Sequence, residues 1–147
     1  MYFVNRSEIE AILKNMDELL NEVKEQNTFS TPLEQLGLER LVHVLIESIL
    51  DVGNMMIDGF IMRDPGSYHD IIDILIDEKV LPKSEDVQYK TFIDLRQMIV
   101  QNYLTINHKE LQSVFFSSKE ILHTFSTHIS TYLDNELGVA NAFSNES

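Results

Sequence analysis

Apolar residues recur at intervals of three and four along almost the whole chain. Ile9, Ile12, Leu13, Met16, Leu19, Leu20 and Val23 fall on one stripe of a helix. Ser7-Glu8-Ile9-Glu10 reads as a capping box and starts that helix at Ser7. Thr31-Pro32-Leu33-Glu34 repeats the signal with proline at the first helical position. The second helix is predicted to run to Phe60 or Met62, before the turn Asp64-Pro65-Gly66. It carries Leu41, Val42, Leu45, Ile46, Ile49, Leu50, Val52, Met55 and Met56, and should therefore lie at the centre of the fold. A short third helix, Tyr68 to Lys79, turns Ile71, Ile72, Leu75 and Ile76 inward and stops before Pro82. Ser84 opens a fourth, with Phe92, Ile93, Leu95, Met98, Ile99, Val100, Tyr103 and Leu104 on it. Asn107-His108-Lys109-Glu110 caps a fifth, expected to bend near Ser117-Ser118 and to stop at Gly138. No repeat and no strand pattern with hairpin turns interrupts this series. Helices joined by short loops predict an all-α fold, an antiparallel four- to five-helix bundle over residues 1–138, with a frayed tail at 139–147.

Composition narrows the chemistry. A chain of 147 residues buries enough surface to fold as one domain without a staple. The absence of cysteine excludes disulfides, a thiolate zinc site and a cysteine nucleophile. No run approaches the roughly 20 apolar residues of a membrane span, and the N-terminus is not a secretory signal, so a cytoplasmic protein without membrane contact is expected. Lys and Arg total 11 against 24 Asp and Glu, a formal net charge of -13. Proteins that hold nucleic acid by neutralising phosphates show a basic face. General nucleic-acid binding, to DNA included, is therefore not expected, although the charge leaves room for a small basic cleft in an acidic body. There is no Gly-rich phosphate loop, no Gly-x-Ser-x-Gly turn and no zinc signature, so neither a cofactor nor a metal is expected. His43, Glu47, Asp51, Asn54 and Asp58 share roughly one side of the second helix. They read as a solvated face, since His69, His108, His123 and His128 add no ligand spacing.

One residue breaks the pattern. On a helical wheel centred on Arg96, Phe92, Ile99, Val100 and Tyr103 all fall within about 60 degrees of it. The arginine thus lies in the middle of the apolar face. A charge there needs a carboxylate, a phosphate or a water-filled cleft. The plain structural alternative is an ion pair with Glu47 or Asp51 on the second helix.

The stretch Leu95-Arg96-Gln97-Met98-Ile99-Val100-Gln101-Asn102-Tyr103-Leu104 resembles the signature of the HepT-like family in the HEPN superfamily: an arginine, four to six residues, a histidine, any residue, and a tyrosine. Glu39-Arg40 with Ile46 to Asn54 is similar to that family's central helix, and Ser67 to Leu75 with Val80-Leu81-Pro82 to its third. The resemblance covers about residues 5–137. It implies a helical, homodimeric bundle that acts as a metal-independent RNA endonuclease, the toxin of a toxin–antitoxin pair. It also implies a minimal nucleotidyltransferase antitoxin that silences the toxin by transferring AMP to the motif tyrosine. Carried over, Arg96 is the motif arginine, and Tyr103 is the motif tyrosine and the AMP acceptor.

The chain departs from the family at the histidine position, which is Gln101. Glutamine can hydrogen-bond a phosphate or a hydroxyl, but it has no proton equilibrium near neutral pH. The expected catalytic set is Arg96, Gln101 and Tyr103, with Gln101 only orienting and activity weakened or lost. The alternative is a non-catalytic HepT-like binding partner, or AMP-acceptor target, of a nucleotidyltransferase. Geometry adds a difficulty: on a straight helix Gln101 lies about 140 degrees from Arg96. The two share no face unless the helix ends or distorts, or unless two copies of the motif meet across a dimer axis.

Overall fold

The computed structural model describes the backbone of residues 2–144 and the side chains of residues 2–138. Among the described residues there are five α-helices: α1 (Arg6–Glu22), α2 (Pro32–Gly59), α3 (Tyr68–Asp77), α4 (Asp86–Arg96) and α5 (His108–Ser144). Among the described residues there is no strand, and no helix is long and apolar enough to cross a membrane. The all-α bundle is as expected. The tail expected at 139–147 lies outside the residues whose side chains are described, and 145–147 lie outside altogether.

The capping chemistry explains most boundaries. Thr31 Oγ1 accepts from Glu34 N at 3.2 Å, and Thr31 N donates to Glu34 Oε1 at 3.0 Å, closing the predicted capping box at the start of α2. Asn107 Oδ1 accepts from Glu110 N at 3.1 Å and opens α5. The start of α1 is a correction: Asn5, not Ser7, is the cap, its Oδ1 accepting from Glu8 N at 3.1 Å. Glu10 pairs with Arg6, whose Nε donates to it at 2.8 Å. The backbone of α5 keeps helical values at Ser117-Ser118 and leaves them at Gly138 (φ 63, ψ -171).

α2 is the hub, as its apolar run predicts, and it packs against each of the other four helices. Its Leu45, Ile46, Ile49, Val52 and Met56 are fully buried. Gly53 permits a close approach to α3: a Cβ there would meet Ile71 Cγ2 at 2.5 Å. On the far side, the fully buried Tyr89 of α4 packs edge-on against Phe125 of α5, with ring centroids 6.0 Å apart. The Tyr89 hydroxyl donates to Ile121 O at 3.2 Å, and burial holds its pKa well above the ordinary phenol value.

The end of α3 stores strain. Val80 N donates to Leu75 O at 2.8 Å, and the intervening Lys79 takes a left-handed φ of 62. That conformation costs a non-glycine residue roughly 1–2 kcal/mol. Lys79→Gly should therefore raise stability by about 1 kcal/mol, or roughly 2–4 °C in Tm for a chain of this size. An unchanged or lower Tm in a thermal melt would contradict this.

Candidate active site around Arg96

α4 ends at Arg96, which corrects the prediction that one helix carries the chain on to Leu104. Residues Gln97–Gln101 form a π-turn, with Asn102 N donating to Gln97 O at 3.1 Å, and Tyr103–Thr105 form a 3-10 turn. This distortion removes the angular difficulty. In an α-helix the residue four on stacks above its predecessor; when the hydrogen bond reaches five residues, one more residue fits into the turn. The residue five after Arg96 then takes the stacking place, and that residue is Gln101. The same turn carries the later apolar residues out of the core, so that Tyr103 is 66% and Leu104 87% exposed.

Arg96 is half-buried and paired as its place in the pattern requires. Its Nε donates to Glu47 Oε1 on α2 at 2.6 Å. This charge-assisted bond raises the guanidinium pKa still further, so the arginine stays charged. Its Cζ lies 5.1 Å from the centroid of the Tyr68 ring, a cation–π stack from the first residue of α3. His43 Nε2 lies 3.6 Å from the same Glu47 oxygen. Among the described residues, neither Nη nitrogen of Arg96 makes a hydrogen bond or ion pair. Glu47 thus fixes the guanidinium through Nε alone.

A cavity of about 440 Å³ opens beside Arg96, lined by Ser67, Tyr68, His69, Ile93, Asp94, Arg96, Gln97 and Gln101. It brings together two of the three expected site residues, Arg96 and Gln101. The third, Tyr103, does not line it and stands on the surface two residues further on. Two cavity residues escape the sequence analysis: His69 and Asp94, whose Nε2 and Oδ1 lie 2.5 Å apart between α3 and α4. No spacing rule links residues 69 and 94, because the contact exists only once α3 packs on α4. The remaining polar positions are structural. His108 Nε2 ties the start of α5 to Glu39 Oε2 of α2 at 2.7 Å, and His128 Nε2 lies 3.3 Å from Glu85. Among the described residues no three His, Asp or Glu side chains converge as a metal site.

Asp51, the second partner considered for Arg96, faces a different cavity of about 400 Å³ with Glu8, Arg40 and Glu47. Burial first, and then the charges of Glu47 and Glu8, push its carboxyl pKa up. A carboxyl with a raised folded-state pKa binds its proton more tightly when folded. Its contribution is therefore fully favourable below the unfolded carboxylate range and is lost as pH rises through the folded pKa. Asp51→Asn should accordingly melt higher than wild type at neutral pH, with the gap closing near pH 3. Equal melting temperatures at pH 7 would show the shift to be absent.

Comparison with known proteins agrees with this geometry. The pattern defining the ribonuclease HepT-like family matches residues 9–129. The Bacillus subtilis (strain 168) protein named "Putative RNase YutE" is 46% identical over 143 residues, covering 97% of this chain and 99% of that one. A solved structure, described as "Structure of Cytosolic Protein of Unknown Function YutE from Bacillus subtilis", superposes with a TM-score of 0.90 at 46% identity, covering 94% of this chain and 96% of that one. With a family match over residues 9–129, a full-length relative and a matching fold, the chain belongs to the ribonuclease HepT-like family.

Proposed function

We propose that the protein is an RNA endonuclease that binds the scissile phosphate at the Arg96 cavity. One observation carries this reading: the unpaired edge of a charged, oriented guanidinium shares a cavity with Gln101 across a π-turn. A planar guanidinium donates two parallel hydrogen bonds to a phosphate and stabilises the charge that builds on it in the transition state. The Gln101 amide orients the RNA by hydrogen bonding and takes no part in proton transfer. Because the motif histidine is replaced, the expected activity is weak. The names of the family and of the Bacillus subtilis relative both support RNA as the substrate.

The same reading extends to regulation. The protein acts as a homodimeric toxin whose partner is a nucleotidyltransferase antitoxin, and Tyr103 is the AMP acceptor. Its exposure supports this role, since a transferase needs access to the hydroxyl. A second reading, a non-catalytic binding partner of the transferase, draws on Gln101 and on the net charge of -13. Cleavage of a labelled RNA by purified protein separates the two. Wild type that cuts, with Arg96→Ala inert, supports the nuclease. Inert wild type that gains activity as Gln101→His supports the binding partner.

A further inference from the structure

The missing motif histidine leaves the nuclease without a group to take a proton from the attacking hydroxyl. We infer that His69, on α3 and outside the motif, supplies it, with Asp94 as its positioning residue. The inference rests on the ribonuclease reading above.

His69 and Asp94 line the same cavity as Arg96 and Gln101. His69 Nε2 lies 2.5 Å from Asp94 Oδ1. An ionised carboxylate only accepts, so in the neutral ring the tautomer that donates from Nε2 to Asp94 leaves a lone pair on Nδ1. Among the described residues Nδ1 has no hydrogen-bond partner. This is the arrangement a general base requires: a carboxylate fixes the tautomer on one nitrogen and leaves the other free to accept a proton. Ser67 caps α3, its Oγ accepting from Asp70 N at 3.0 Å, so His69 sits in the first turn of a fixed helix and not on a loop. The neighbouring charges are committed elsewhere: Asp70 to Arg63 at 2.9 Å, and Asp73 to Lys90 at 2.6 Å. Asp94 makes its contact with His69 alone among the described residues.

The step balances with water, which gives a proton to the leaving oxygen and recovers one from the His69 imidazolium. Nδ1 of His69 takes the 2′-hydroxyl proton as the 2′-oxygen forms a bond to phosphorus. Arg96 holds the phosphate oxygens. The bond from phosphorus to the 5′-oxygen breaks, and that oxygen takes a proton from water. The products are a 2′,3′-cyclic phosphate and a 5′-hydroxyl. If His69–Asp94 were only a clamp between α3 and α4, losing it would change stability but not turnover.

The test uses the full chain and a fluorescein-labelled oligoribonucleotide, with a thermal melt for every variant. His69→Ala should lower kcat by about 100-fold with KM within about twofold. Added imidazole, or Gln101→His in the same chain, should restore at least a tenth of the lost rate. Asp94→Asn should lower kcat by about tenfold at unchanged KM. Arg96→Ala should not respond to imidazole. If wild type and His69→Ala cut equally while Arg96→Ala is inert, this inference falls and the ribonuclease reading stands. A loss in His69→Ala that neither imidazole nor Gln101→His repairs also overturns it. Products ending in a 5′-phosphate exclude the 2′-hydroxyl route and overturn it as well. If wild type does not cut RNA, the ribonuclease reading fails first and His69 with it.

Discussion

Arg96→Ala is expected to lower RNA cleavage by about 100- to 1000-fold, the usual cost of removing one preorganised donor to a developing oxyanion. The expectation follows from how the side chain is held. Glu47 takes Nε at 2.6 Å and Tyr68 covers a face of the guanidinium, so two directions are fixed before RNA arrives. The Nη nitrogens have no partner among the described residues, and Arg96 lines the cavity. Preorganisation of this kind is lost in Arg96→Lys as well, because an ammonium cannot donate from Nε to Glu47 and also fork onto a phosphate. Lysine should thus fall close to alanine, although it keeps the charge. A lysine variant near wild-type rate would mean that charge alone matters and that the pairing with Glu47 is incidental. Stability should change little in either variant. Glu47 is 37% exposed in its side chain, so water can replace the lost partner. A melt that collapses in Arg96→Ala would instead make the arginine a structural ion pair.

The largest effect on stability is expected at Phe125. Phe125→Ala should cost about 3–5 kcal/mol, the range for emptying a fully buried aromatic site. Against a total of about 5–15 kcal/mol for a typical domain, that is a large share. The ring is wholly inaccessible and meets Tyr89 edge-on, so its loss leaves a cavity between α4 and α5 that neither helix backbone can close. Tyr89 stands two turns before Arg96 on the same helix, so the pair also anchors the element that carries the site. Denaturant unfolding measures the effect. A loss below about 1 kcal/mol would show that α4 and α5 are not packed at this point.

Packing was largely legible in the chain. The three-and-four spacing of Leu45, Ile49, Val52 and Met56 marks α2 as the buried hub, because a helix apolar on several sides is stable only when surrounded. Thr31 and Asn107 announce their helix starts through side-chain chemistry that acts over three residues, which a sequence records directly. The anomaly of Arg96, and Glu47 as a candidate partner, also follow from the pattern, since a charge on an apolar face demands an opposite one.

What the sequence could not decide depends on contacts formed after the helices assemble. Asn5 displaces Ser7 as the first cap, its Oδ1 accepting both from Glu8 N and from the Ser7 hydroxyl, a competition among neighbours that a motif does not rank. The π-turn at Gln97–Gln101 is invisible to a wheel drawn at 100 degrees per residue. Yet that turn lies where Gln101 joins Arg96 in lining one cavity while Tyr103 is exposed. His69 and Asp94 stand 25 residues apart with no common spacing, and only the packing of α3 on α4 closes them to 2.5 Å. The sequence by itself therefore determined the helices, the hub and the need to neutralise Arg96, because these depend on local periodicity and on the cost of burying charge. The tertiary structure alone decided which edge of Arg96 stays free and which side chains share its cavity, because those depend on how separate helices meet.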